Sequence, residues 1–269
     1  MACALFLPTR MASCRTMRGR NGQEKEERAV TQQATHQSCT GLRLTRRAWM
    51  QALLAGAAGA LLHRWPEARA FELNEARLQQ SMQTRYGNAG VQRLRAWQTM
   101  LAAQTGKNEA QQLEAVNTFW NTQVLGSEDS IIWGQNDYWA TPLESLGKGA
   151  ADCEDFVIGK YFSLAYLGVP VQRLRLIYVR ARMGGVGSTQ SIAHMVLGYY
   201  RTPQAEPLVL DNMIDTISPA SQRSDLTPVF SFNAEGIYAP SGAVSSVDRI
   251  TRWRDLLVRM QQEGFVLTS

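Results

Sequence analysis

The hydrophobic pattern of the chain changes period along its length. Over Leu73 to Tyr86, Val91 to Gln104 and Glu109 to Val124, apolar residues recur every three or four positions, which predicts three amphipathic helices. Gly87-Asn88 and Gly106-Lys107-Asn108 punctuate them. In the third, Leu113, Val116, Phe119, Trp120 and Val124 form one apolar stripe. A turn-rich passage, Gly126 to Gly149, follows; it contains Trp133, Trp139 and Pro142 and is too long for a simple connection. Helical spacing returns with Phe156, Ile158, Phe162 and Ala165, and Gly168 with Pro170 ends that run. Asp152 is placed to cap its start, so Cys153 sits in the first turn.

Beyond Gly168 the period becomes two. Leu174, Leu176 and Tyr178 alternate with Arg175, Ile177 and Val179, predicting a strand. Further strands are expected over 192–200, 208–210 and 228–233, and a closing helix over 248–262 presents Ile250, Trp253, Leu256, Leu257 and Met260 on one face. Helices first and an antiparallel sheet afterwards is the α+β order. The Met183 to Ser188 stretch reads as a flexible connection, either a lid, a partner contact or a plain linker.

Composition narrows the class. The 269 residues are 45% hydrophobic and 19% charged, a globular balance, and no apolar run approaches the ~20 residues of a membrane span. Residues 1–44 carry no sustained period. Arg46-Arg47, the Ala/Gly/Leu stretch from Ala52 to Leu62, and Ala68-Arg69-Ala70 predict a secretory signal of twin-arginine type, removed near residue 70. Eleven of the 28 Lys/Arg and four of the 23 Asp/Glu precede residue 71. The expected mature chain, 71–269, therefore carries 17 basic and 19 acidic side chains, a net charge of −2 in place of +5. That argues against nucleic-acid binding, which needs concentrated positive charge. The expected mature chain also keeps one thiol, Cys153, since Cys3, Cys14 and Cys39 lie in the leader. A single exported thiol is a liability unless buried or used.

Three side chains have the types and places that acyl transfer needs. Cys153 opens a helix, where the N-terminal field favours thiolate. His194 lies in a strand and can move a proton between thiol and leaving amine. Asp211 follows the next strand, where it can hold the imidazole in one tautomer. Taken singly, each has a plain reading: a packed thiol, a core histidine, a turn aspartate.

The segments Trp139-Ala140-Thr141-Pro142-Leu143-Glu144, Gly149-Ala150-Ala151-Asp152-Cys153-Glu154-Asp155-Phe156, Ala193-His194-Met195-Val196-Leu197 and Leu210-Asp211-Asn212 resemble the bacterial transglutaminase-like cysteine proteinases. Within them, the chain is similar to the periplasmic adhesin-releasing members, from about Leu73 to the final helix. The resemblance implies a papain-like, transglutaminase-like α+β fold, with the nucleophile helix packed on an antiparallel sheet, and a Cys153–His194–Asp211 triad. It implies a periplasmic endopeptidase that cuts a large surface adhesin near its N-terminus at a paired-alanine site, promoting biofilm dispersal. It also implies an inner-membrane cyclic-di-GMP receptor as inhibitory partner. Transglutaminase, amidase or cell-wall peptidase activity would use the same residues, and a catalytically silent binding module is the reading from another class.

Asp152, Glu154 and Asp155 crowd the nucleophile, and their negative field opposes thiolate formation. A bound hard cation with oxygen ligands would offset it, which suits Ca2+. The family resemblance implies calcium dependence with ligands at these three acids, completed by other oxygens. Asn136 and Asp137 are candidates for that completion, or ordinary turn residues. Trp133 or Trp139 is expected to wall the cleft, or else to pack against the helices.

Overall fold

The computed structural model describes residues 71–184, 188–239 and 244–267; the expected leader and the centre of the Gly184–Ser188 connection lie outside the described residues. In chain order the first part comprises β1 (Phe71–Leu73), α1 (Glu75–Gln104), α2 (Glu109–Gln123), β2 (Leu125–Gly126), α3 (Asp129–Ile132), α4 (Pro142–Lys148), β3 (Ala150–Ala151) and α5 (Cys153–Tyr166). The second comprises β4 (Leu174–Arg182), β5 (Ser191–Tyr199), β6 (Leu208–Leu210), β7 (Ser218–Pro219), β8 (Leu226–Asn233), β9 (Gly236–Tyr238), β10 (Val244–Ser245), α6 (Thr251–Glu263) and β11 (Phe265–Leu267). Helices precede an antiparallel sheet, as the α+β order requires.

Two expectations about the helices are corrected. The first two predicted helices form one element, α1, interrupted at Gly87. That residue takes φ 63°, ψ −159°, a conformation open to glycine, so the chain bends without a loop. The passage read as turn-rich contains two short helices, α3 and α4. Helix α4 starts with a complete capping box between Thr141 and Glu144, has Pro142 in its first turn, and ends at Gly149 with φ 66°.

The main sheet has the order β10-β9-β8-β4-β5-β6-β7, with antiparallel neighbours throughout. Its central pair, β4 and β5, runs from Leu174 opposite Tyr199 to Arg182 opposite Ser191 and sets Val179 against His194. Period-two alternation then sends Met195, Leu197 and Tyr199 into the main core with α5, while Ile177, Val179, Val196 and Val209 form a second small core. Strands β1 and β11 join the two ends of the described chain.

Helix α5 is buried along its whole length from Asp155 to Ala165. Ser163 fixes it. Its Oγ accepts from the indole N–H groups of Trp97 on α1 (2.8 Å) and Trp120 on α2 (3.0 Å) and donates to the Gly159 carbonyl (2.7 Å). Every bonding capacity of that hydroxyl is used. Gly159 lets the Trp120 ring approach: a Cβ there would lie 2.5 Å from three ring atoms. The helix start is thus held by packing two turns further on.

Candidate active site

Asp152 caps α5 as expected, its Oδ1 accepting from the Asp155 N–H (3.2 Å), and Cys153 is the first helical residue. The Cys153 amide is therefore among the first-turn donors with no intrahelical partner. Strands β5 and β6 are antiparallel neighbours, with Leu197 opposite Leu210. Asp211 follows directly, and its Oδ1 lies 2.8 Å from His194 Nε2. Cys153 and His194 line one cleft of about 750 Å³, with Asp129, Asn136, Asp137, Asp152, Glu154, Ile192 and Met213. Ile131, Ile192 and Met213 give this acidic cleft an exposed apolar rim.

His194 and Asp211 are both buried, at 3% and 1% exposure. Burial alone would push the Asp211 carboxyl up. Hydrogen bonds and charge from His194, the Met213 N–H and Arg223 outweigh it and hold the carboxyl down at about 2. An ionised Asp211 can only accept, so whenever the ring is neutral its proton sits on Nε2 and Nδ1 is left as an acceptor. The Cys153 thiol donates to Glu154 Oε2 at 2.8 Å. Burial, then the charges of Glu154 and Asp152, push that thiol well up, against a smaller opposing contribution from the Met195 N–H.

A third feature is acidic. The parallel pair β2–β3 sets Leu125 against Ala150 and Gly126 against Ala151, and Ser127 N–H donates to the Ala151 carbonyl (2.9 Å). That pairing carries Asp129 to the helix start. One oxygen each from Asp129, Asp152 and Asp155 falls within 4.8 Å of the others. Burial comes first, and neighbouring carboxylates add to it, in pushing Asp129 up and Asp152 and Asp155 well above the usual carboxylate range. Asp129 Oδ2 accepts from the Tyr138 N–H and Asp155 Oδ1 from the Ala140 N–H (2.6 Å), while Asp129 Oδ1 and Asp155 Oδ2 are buried without partners. Of the three acids expected to bind metal, Asp152 and Asp155 enter this cluster; Glu154 faces the thiol, and Asp129 takes the third place. Asn136 and Asp137 line the cleft, and Asp137 pairs with Arg252.

The tryptophans are corrected towards packing. Trp139 is buried and stacks on Phe232, with centroids 5.6 Å apart. Trp133 packs against Tyr138 under the Lys148 ammonium. Neither lines the cleft.

The family profile of the bacterial transglutaminase-like cysteine proteinases matches residues 90–225, a span that includes Cys153, His194 and Asp211. The chain belongs to that family. It is a cysteine protease, and it resembles solved structures of LapG from Legionella pneumophila. One LapG structure is 38% identical, with a TM-score of 0.62, over 72% of this chain and 100% of that one. A calcium-bound LapG matches at 38% identity and a TM-score of 0.59, over 69% of this chain and 98% of that one. An EGTA-treated LapG matches at 38% and 0.61, over 69% and 96%. No curated protein matches significantly. Among the described residues, no helix is long and apolar enough to cross a membrane.

Proposed function

We propose that this chain is a periplasmic, calcium-dependent endopeptidase that cuts a large surface adhesin near its N-terminus and so promotes release from a biofilm. In this reading Cys153, His194 and Asp211 are the catalytic triad, and an inner-membrane cyclic-di-GMP receptor is the inhibitory partner. The observation that carries the triad is the buried 2.8 Å bond from His194 to Asp211 at the wall of the cleft that Cys153 opens into.

The chemistry follows from the residues. Cys153 Sγ gives its proton to His194 Nδ1 and attacks the substrate carbonyl carbon. The Cys153 N–H, unpaired at the helix start, faces the oxyanion that develops. Collapse breaks the C–N bond; the imidazolium protonates the leaving amine, and the acyl group stays on sulfur as a thioester. Water, deprotonated by His194, then attacks the thioester and frees the carboxylate and the thiol. Asp211 holds the ring throughout without itself exchanging a proton.

Asp129, Asp152 and Asp155 fit a hard cation. They offer only carboxylate oxygens, two of which are buried and unpartnered, a donor set that suits Ca2+ better than zinc or copper. When bound, calcium would neutralise the acids beside the helix start. The calcium-bound LapG supports this assignment.

Mixing the purified protein with the N-terminal fragment of a large adhesin from the same cell tests the reading. The expected result is one discrete cut, lost after thiol alkylation or chelation and restored by calcium better than by magnesium. An intact adhesin rejects the substrate. Incorporation of a primary amine without peptide cleavage rejects the protease chemistry in favour of transglutamination. Cleavage indifferent to chelation rejects the metal alone.

A further inference from the structure

Asp211 is held by more than the histidine. Its Oδ1 accepts from His194 Nε2 (2.8 Å) and from the Met213 N–H (3.0 Å), and its Oδ2 accepts from Arg223 Nη2 (2.7 Å). Arg223 ends a single 3-10 turn, Ala220–Gln222, and only 6% of it is exposed. Asp225 grips it at two points, Nε to Oδ1 (3.0 Å) and Nη2 to Oδ2 (2.8 Å). We propose that Arg223, anchored by Asp225, is the positioning residue of the catalytic histidine, acting through Asp211. The inference rests on the triad proposed above and extends it by one member.

A carboxylate held only through Oδ1 can rotate about its Cβ–Cγ bond, and its second oxygen, buried here, would have no donor. The guanidinium removes that freedom. It gives Oδ2 a charge-assisted partner, so Oδ1 stays directed at the ring. A two-point anchor on the guanidinium fixes its plane, as a lone ammonium cannot. The charged groups around Asp211 are His194 from β5, Lys160 from α5, Arg223 with Asp225, and Asp215 of its own loop. Lys160 supplies positive charge there without a hydrogen bond, because its Nζ is buried with no partner. Among the described residues, Arg223 is thus the permanent cation in contact with the carboxylate, and His194 joins it only when protonated. Arg223 also lines a cavity of about 410 Å³ on the sheet face formed by Ile177, Val179, Val196 and Val209. Shortening Arg223 therefore opens a path for a small guanidinium ion.

The test uses the full chain with 15N-labelled histidine. It has three histidines, so comparison with His194→Ala assigns the ring. In wild type, nitrogen chemical shifts are expected to show the proton on Nε2. In Arg223→Met, the Nε2 proton should exchange faster and its nitrogen signal should broaden, because the carboxylate that holds the ring has lost its second anchor. Cleavage of the adhesin fragment should lose about 10- to 100-fold in kcat, by analogy with loss of the outer-shell partner of a metal-bound histidine, with KM within about twofold. Arg223→Lys, which keeps the charge, should recover part of kcat. Ethylguanidinium should restore activity to Arg223→Ala and leave Asp211→Ala unaffected. An unchanged His194 spectrum together with wild-type kcat in the Met and Lys variants overturns the inference and leaves the triad standing. Full activity in His194→Ala and Asp211→Ala overturns the triad itself.

Discussion

Lys160 allows a sharp test of the energetics under the site. It lies on the nucleophile helix, 0% exposed, with its Nζ lacking any hydrogen-bond partner. Burial lowers its pKa, the charges of Asp211 and Asp215 push part of the way back, and the balance is about 7 against an ordinary 10.5. Below pH 7 the native and unfolded chains both carry the ammonium, and the full cost of burying it falls on the native state. Above 10.5 neither carries it. Stability therefore rises with pH between 7 and 10.5 for this group. Each pH unit between the native and unfolded titrations is worth about 1.4 kcal/mol, so the cost is roughly 4–5 kcal/mol near pH 6 and about 1 kcal/mol at pH 10. Lys160→Met keeps the volume and removes the charge, so it should stabilise the protein at pH 6, with the gain shrinking by about 4 kcal/mol by pH 10. Urea unfolding followed by tryptophan fluorescence measures both variants at each pH, and titrations common to the two cancel. A destabilised Met variant at pH 6, or a difference that does not change with pH, would refute the reasoning.

Other outcomes follow from the same geometry. Gly159→Ala forces a methyl into the Trp120 ring and should cost about 1–3 kcal/mol by denaturant unfolding, as overpacking does; an unchanged midpoint would mean that α2 and α5 are not locked there. Asp129→Asn should abolish the rise in melting temperature that calcium gives the wild type, since linkage needs an intact site; an equal rise in both proteins would remove Asp129 from the ligand set. Cys153→Ala and His194→Ala should lose cleavage with the fold retained, while Asp211→Ala keeps more, because it orients without reacting. Equal residual rates in all three would deny Asp211 that role.

Much of this architecture is written in local patterns. The cap at Asp152 and the apolar spacing after it place Cys153 at a helix start, and alternation from Leu174 onward gives β4 with little error. The 208–210 strand and the position of Asp211 beyond it follow from a short apolar run. Short helices escape such a reading because seven residues scarcely show a period. For α4 a signal is nevertheless present: Thr141-Pro142-Leu143-Glu144 is a capping box with proline in the first turn. Gly87 looks like a helix boundary because a glycine that bends a helix and one that ends it read alike in sequence.

Within the site, the residues that sequence reasoning misses act through distant pairing. Asp129 lies 23 positions before Asp152 and reaches it only because β2 pairs with β3. Arg223 reaches Asp211 only through the turn after β7, and surface arginine–aspartate neighbours are too common for the pair to stand out. Glu154 shares the cleft and its charge acts on Asp129, Asp152 and Asp155, but its carboxylate hydrogen-bonds the thiol. Helix geometry turns it towards the thiol, while Asp152 and Asp155 face the loop that carries Asp129. The tryptophans of the long passage suit a cleft wall equally well in sequence, and the fold uses Trp139 as core against Phe232.

The central claim is that the Cys153 sulfur takes up the acyl group. Acid-quenching the enzyme during cleavage of the adhesin fragment, followed by peptide mass mapping, tests it directly. The predicted result is a thioester on the Cys153 peptide whose added mass equals the N-terminal side of the cut, absent from Cys153→Ala and His194→Ala. Cleavage that continues in Cys153→Ala, or product formed with no adduct on that sulfur, would contradict it.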